Sequence, residues 1–220
     1  MTKKYSFTRW LKYLTLVNVL FFSLYLIYLG NTVVSTFSIP IPNENNAINY
    51  KQQSTDLVNM LLITEDQSFF QHHGVDFKEI YRVLSEYVLY KKPIRGASTI
   101  TQQLIKNTLL TREQTLTRKF NEVIMALLLE LSFDKEFILN RYMNTVYLGQ
   151  SVDGAVYGFA NASEFYFNKT VKLLSIEEMA TLVALLKGPS YYNPEKHPER
   201  LNKRMKLVLS LFYKYKKIVP

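Results

Sequence analysis

The chain has 220 residues, 48% hydrophobic with only 7 Gly and 7 Pro, a composition that suits one mostly helical domain plus a further segment. With no cysteine it has no disulfide framework, no thiol nucleophile and no thiolate metal site. Lys and Arg number 27 against 18 Asp and Glu, and the resulting charge of +9 points to a partner bearing phosphates: nucleic acid, anionic lipid or a phosphorylated substrate.

Residues 1–12 form a basic tail carrying Lys3, Lys4, Arg9 and Lys12. The following span, 13–34, is uncharged and reaches the ~20 apolar residues that cross a bilayer. Trp10, Tyr13 and Tyr28 sit where interfacial aromatics belong, and the positive-inside rule places the amino terminus in the cytoplasm. A cleaved signal peptide is the rival reading. The exit segment VVSTFSIPIP has no small-x-small site, so an uncleaved anchor is expected, with the rest of the chain outside the cytoplasm and away from nucleic acid.

Residues 35–53 are polar, Pro-punctuated and without amphipathic period, which reads as a linker to a folded domain over 54–220. Ser54, Asp56 and the series Leu57, Met60, Leu61 predict a capped helix. It leads into LLITEDQSFFQHHG, where Glu65 and Asp66 stand between an apolar run and a Phe/His cluster. A carboxylate beside apolar groups loses solvation and becomes a better proton acceptor near neutral pH, the property a general base needs. The plain alternative is a solvated helix end beside a packed His72.

Phe77, Ile80, Tyr81, Leu84 and Val88 predict a second helix to about Tyr90, stopped by Lys91, Lys92 and Pro93. In RGASTITQQLIKN, Gly96 permits close backbone approach, and Thr99 with Gln102 has the capping-box spacing of a helix start. Hydroxyls and free N–H groups there, with Arg95 before and Lys106 after, form a candidate anion cradle; the alternative is an ordinary capped helix. Thr101, Gln102, Gln103, Lys106 and Asn107 leave only Ile100, Leu104 and Ile105 to pack, so this helix is expected to line a polar groove.

The helix in TRKFNEVIMALLLELSF is predicted to turn Phe120, Ile124, Leu127, Leu128 and Leu131 to the core. Arg118, Lys119 and Glu122 share a face, either as a surface ion pair of little worth or, in a cleft, as a binder of pyrophosphate or a bridging metal. KEFILNRYMN continues as helix, GQSVDGAVYG reads as a bend, and Ala- and Leu-rich helices follow at 160–166 and 176–186. A basic helix over 202–217 closes the chain, with no strand series predicted.

On these stretches the chain closely resembles the peptidoglycan glycosyltransferase family, and within it the monofunctional, membrane-anchored biosynthetic transglycosylases. An E-D pair followed by Phe, His and Gly matches Glu65, Asp66, Phe69, His72 and Gly74. G-x-S-T-I-T-Q-Q with a trailing K-N matches Gly96, Ser98, Thr99, Ile100, Thr101, Gln102, Gln103, Lys106 and Asn107. R-K-x-x-E falls on Arg118, Lys119 and Glu122. K-x-x-I-L-x-x-Y-x-N falls on Lys135, Ile138, Leu139, Tyr142 and Asn144, and R-x-x-x-V-L on Arg204, Val208 and Leu209. Departures are Ala97 where a second Gly is frequent, Met143 for Leu, and Asn168 for Gly.

The resemblance implies an all-α, lysozyme-like, two-lobed domain whose cleft opens toward the membrane. It implies polymerisation of a lipid-linked disaccharide-peptide, lipid II, into β-1,4 glycan with release of undecaprenyl pyrophosphate. Glu65 would be the general base. Lys106, Arg118 and Lys119, with Mg2+ or another divalent ion at Glu122, would meet the leaving group, and the other matched polar residues would bind substrate. Implied partners are lipid II, nascent glycan, an anionic membrane surface and cell-wall synthesis or division proteins, at the bacterial cytoplasmic membrane.

A lysozyme-like hydrolase or lytic transglycosylase is the rival from the same fold class, and an idle division scaffold the rival from another. The Thr/Gln helix and the Arg-Lys-Glu face favour synthesis. Ser132 and Lys135 spell S-x-x-K, but inside a predicted helix and with neither S-D-N nor K-T-G following, so a single activity is expected. No zinc-ligand spacing joins His72, His73 and His197.

Overall fold

A computed structural model describes residues 3–41, 48–92, 96–111, 113–152, 154–215 and 218. Pro93, Arg95 and Lys217, which figured in the expectations above, lie outside them. The chain divides into two compact units, residues 1–39 and 40–220.

The first unit is one helix, α1 (Lys3–Phe37). Its segment Phe7–Phe37 has a mean hydropathy of 1.8 over 31 residues, long and apolar enough to cross a membrane. The polar residues in it satisfy themselves: Thr15, Asn18, Ser23 and Thr32 each donate to the carbonyl four residues back, at 2.8–2.9 Å. Such back-bonding lets polar side chains sit in an apolar helix without an unmet donor. The helix outruns the expected span 13–34 and stops short of Pro40, whose ring disfavours helical backbone at the residue before it.

Among the described residues the first element of the second unit is a 3-10 turn, Tyr50–Gln52, inside the stretch expected to be linker. Asn144 clamps Ile48 through both its backbone groups at 2.8 Å, and Asn140 accepts from Tyr50 N–H at 2.7 Å. The linker expected over 35–53 is therefore shorter at both ends.

Helices α2 (Thr55–Glu65), α3 (Phe77–Tyr90), α4 (Ile100–Leu109), α5 (Leu116–Ser132) and α6 (Lys135–Thr145) follow. A hairpin of β1 (Tyr147–Ser151) and β2 (Gly154–Tyr157) precedes α7 (Phe159–Phe167), α8 (Ile176–Leu185) and α9 (Pro198–Tyr215). Ser54, Thr99, Thr115, Asp134 and Ser175 cap their helices by accepting a backbone N–H of the first turn. Two packing groups result: α2 with α8 and α9, and α4 with α5 and α6. α2 is buried along all of residues 57–63 and forms the centre of its group. Even its Asn59 is buried, accepting from Ile218 N–H at 2.8 Å.

Three expectations are corrected. The predicted bend 149–158 is an antiparallel pairing, Gly149 with Val156 and Ser151 with Gly154; its strands are too short and Gly-rich to show alternation. α5 buries Glu122, Met125, Ala126 and Leu129, while Phe120 and Leu131 face solvent. The reason for this rotation is Gly74: at φ +83° it packs so close to α5 that an added Cβ would lie 2.5 Å from Ala126 O. α9 begins at Pro198, before the predicted Asn202, because proline suits a first helical turn. Asn168, the departure from Gly, caps α7 in the left-handed conformation that Asn tolerates.

Candidate active site

The two adjacent acids at the end of α2 have different surroundings. Glu65, whose side chain is 10% exposed, accepts a hydrogen bond from the Gln103 amide at 3.0 Å and faces the Arg204 guanidinium at 3.6 Å. Gln103 is itself oriented by the Tyr142 hydroxyl, which donates to its Oε1 at 3.0 Å. Burial, then the charges of Glu65 and Asp66, hold the Tyr142 pKa well above the usual tyrosine range, so this hydroxyl stays a donor. The apolar setting inferred for Glu65 is thus replaced by an amide and a guanidinium contributed by α4 and α9.

Asp66 points inward. Its carboxylate takes His72 Nε2 at 3.0 Å and the Ile100 N–H at 2.9 Å, which caps α4 with a negative charge at its positive end. Phe69 is fully buried, edge-on to His72, with Lys135 Nζ 4.4 Å from its ring centre. Lys135 also pairs with Glu130 at 2.7 Å.

The Thr/Gln segment is mostly interior, contrary to the expected polar groove. Thr99 and Gln102 form the capping box with each other, Thr99 donates to Gly74 O at 2.6 Å, and Thr101 donates to Glu130 at 2.6 Å. The Thr99 and Thr101 hydroxyls and the Gln102 amide oxygen are taken up inside the protein. Ser98 and Gln103 flank them and reach Lys119 and Glu65; Lys106 and Asn107 are exposed. Gly96 needs no special backbone freedom, since a Cβ there would meet only Lys187 Nζ at 3.7 Å, but the same distance brings Lys187 to the cradle.

On α5, Glu122 is 2% exposed, so the surface-pair alternative does not apply. Its oxygens are taken by Arg118 at 2.8 Å and by Lys119, which also donates to Ser98 Oγ at 3.0 Å. Among the described residues, Arg118 Nε and Arg204 Nε are buried donors without a hydrogen-bond partner, groups an anionic ligand could satisfy. Asn144 is not brought to this site; it clamps Ile48 instead.

Glu122 does not fit a metal cage. Both its oxygens already face cations, and among the described residues no group of three His, Cys, Asp or Glu side chains is placed to hold a metal ion.

Sequence reasoning missed Glu130 and Lys187. A lone acid inside LLLELSF was the available signal for the first, because an acid in an apolar run needs an internal partner. Lys187 was hidden in what read only as a helix stop before Gly188 and Pro189.

Fold and site together define a class: a lysozyme-like helical domain with one partly open carboxylate and a cluster of Lys and Arg gathered around the start of one helix. More narrowly, the chain belongs to the transglycosylase family, whose model, described as Transglycosylase, matches residues 31–212. It is 42% identical over 162 residues to penicillin-binding protein 1B of Haemophilus influenzae, covering 74% of this chain and 21% of that protein. It is 44% identical over 155 residues to penicillin-binding protein 1B of Escherichia coli K12 (70% and 18%). With penicillin-binding protein 1A of Neisseria gonorrhoeae it shares 46% over 154 residues (70% and 19%). The chain thus spans about a fifth of the length of these relatives.

Proposed function

We propose that the chain is a peptidoglycan glycosyltransferase that polymerises lipid II into β-1,4 glycan strands and releases undecaprenyl pyrophosphate. One observation supports this reading: of the three motif acids, Asp66 and Glu122 have both oxygens engaged by partners within 3.0 Å, whereas Glu65 is held by a neutral amide at 3.0 Å and a guanidinium only at 3.6 Å, which leaves an oxygen open to a hydroxyl donor. A sugar 4-hydroxyl is a weak nucleophile at neutral pH. Glu65 takes its proton as the oxygen attacks the anomeric carbon of the donor, the bond to pyrophosphate breaks, and the α-linkage inverts to β. Charge growing on the leaving group is met by Lys119, Arg118 and Lys106, with Lys187 added by its position beside Gly96. Ser98 orients Lys119, and Gln103 and Arg204 orient Glu65.

The setting proposed is the bacterial cytoplasmic membrane, crossed once by α1 with the basic tail inside, alongside cell-wall synthesis or division proteins. A reporter fused after Pro220 is expected to be active only outside the cytoplasm.

The deciding experiment incubates purified full-length protein with lipid-linked disaccharide and resolves products on a gel. Polymer with stoichiometric undecaprenyl pyrophosphate is expected. Cleavage of finished glycan without polymer would instead identify a hydrolase or lytic enzyme, and inertness toward both an idle scaffold.

A further inference from the structure

Three consecutive residues at the start of α4 are tied to three different places: Thr99 to Gly74, Ile100 to Asp66 and Thr101 to Glu130. The last two contacts are the ends of one closed ring. From Asp66 the ring passes to His72 Nε2 at 3.0 Å, from His72 Nδ1 to Lys135 Nζ at 3.4 Å, from Lys135 to Glu130 at 2.7 Å, and from Glu130 back to Thr101 at 2.6 Å. The side chains of Asp66, His72 and Glu130 are 3%, 6% and 4% exposed. Glu130 belongs to none of the five sequence motifs.

We propose that Glu130 is a positioning residue for the glycosyl transfer, an inference that rests on the function proposed above. Its carboxylate fixes the charge on Lys135 and through it the tautomer of His72. The ring so defined locks the first turn of α4, and α4 holds Gln103 against Glu65.

An ammonium only donates, so His72 Nδ1, facing Lys135, is the acceptor, and the ring proton sits on Nε2, aimed at Asp66. Asp66 then receives two donors, His72 and the Ile100 N–H, at the positive end of α4. Glu130 supports the charge on Lys135: burial pulls its pKa below the usual lysine range, and Glu130 followed by Asp66 offsets part of that fall. The titratable and charged groups facing Lys135 are Glu130 on α5 and Asp66 and His72 in the loop after α2. Without the Glu130 charge, Lys135 loses its proton at lower pH. A neutral amine can accept as well as donate, and His72 is then free to turn its proton away from Asp66.

The test uses full-length protein labelled with nitrogen-15 at its three histidines, assigned with His73→Gln and His197→Gln. Ring nitrogen spectra of His72 and polymerisation kinetics are recorded against pH for wild type, Glu130→Gln and Glu130→Asp. In wild type His72 should be the Nε2-protonated tautomer. In Glu130→Gln the single-tautomer signature is lost, kcat falls roughly tenfold to a hundredfold with little change in KM, and the alkaline limb of the kcat profile moves to lower pH. Glu130→Asp, which keeps the charge, restores the tautomer and most of kcat. An unchanged tautomer and pH profile in Glu130→Gln overturns the proposal, as does a loss that Glu130→Asp does not rescue. If Glu130→Gln does not fold, Glu130→Asp decides: a lost Nε2 tautomer despite the retained charge overturns the proposal and a kept one supports it. A wild type that makes no polymer, with His72 still responding to Glu130→Gln, counts against the assigned reaction and for the ring.

Discussion

Helices α3 and α4 follow one another in the chain and invert the usual partition of side chains in opposite ways. α4 buries Thr101 and Gln102 at 0% and 1% exposure, with Thr99 beside them, while α3 buries only Val83 and turns Phe77, Tyr81, Leu84, Val88 and Leu89 to the outside. Buried polar groups are tolerable when they are hydrogen-bonded: on α4 the Thr99 and Thr101 hydroxyls donate to the loop after α2 and to α5, and the Gln102 amide oxygen accepts from Thr99 N–H in the capping box. An exposed apolar stripe is tolerable when something other than water covers it. The contrast separates two proposed jobs: α4 frames the carboxylate assigned above as the base, and α3 offers a surface suited to lipid.

The largest effect expected on the α4 side is at the group it frames. Glu65→Gln keeps shape and hydrogen bonding to Gln103 but removes the base. Turnover should drop by at least ~100-fold while donor binding, measured on the same preparation, persists. Near wild-type turnover would transfer the role of base to another residue.

The α3 side is probed by charge. Lys91 caps the helix in the left-handed conformation and Lys92 follows it, paired only weakly with the half-buried Glu86 at 3.4 Å. Apolar side chains dipping into the headgroup boundary would bring both lysines to lipid phosphates. Each such contact is worth about 1 kcal/mol, so Lys91→Glu with Lys92→Glu should weaken binding to anionic vesicles at least roughly thirtyfold at low salt. The measurement suits a fragment beginning at Pro40, which keeps the Ile48 and Tyr50 contacts to α6. Unchanged vesicle binding by a folded variant would mean that α3 does not face the bilayer, and the contrast with α4 would need another explanation.

Glu122 tests whether the interior also supplies a metal ligand. Glu122→Gln leaves two cations around a neutral amide. The stability cost should be about 1–2 kcal/mol, below the ~3–5 kcal/mol of a fully buried pair, because the Lys119 side chain is 43% exposed and keeps much of its hydration. Since both oxygens already face cations, polymerisation by wild type and variant should respond alike to added Mg2+ or chelator. A metal response present in wild type and absent in the variant would instead make Glu122 a metal ligand.

Much of this was legible in the sequence where the signal is local. Helix caps, the apolar span near the amino terminus and the acid pair after α2 depend on neighbours within a few residues, and the structure bears out Ser54 and Thr99 as caps. What was not legible depends on distant partners. Nothing near Thr101 announces Glu130, nothing near Asn144 announces Ile48, and the exposed face of α5 follows from Gly74, far away in sequence. The same gap explains why Thr101 and Gln102 looked like groove residues. Their polarity was visible, but the partners that consume it were not.

The smallest effect is expected at Tyr142, and its value lies in what should stay constant. Tyr142→Phe removes the hydroxyl that orients Gln103 and leaves Gln103 Oε1 without that donor, a loss of about 1–1.5 kcal/mol for one buried hydrogen bond. If most of it appears in the transition state, turnover falls about tenfold or less, an effect well below that of Glu65→Gln. The pH profile should not move. Burial and the nearby acid charges raise the Tyr142 pKa, so the folded protein keeps this proton well past the point where an unfolded tyrosine loses it, at about pH 10. Its contribution to stability is therefore complete below that pH and declines only above it, outside the range in which the enzyme would be assayed. A shift of either limb of the profile in Tyr142→Phe would show that the hydroxyl takes part in proton movement, and α4 would then be more than a frame for Glu65.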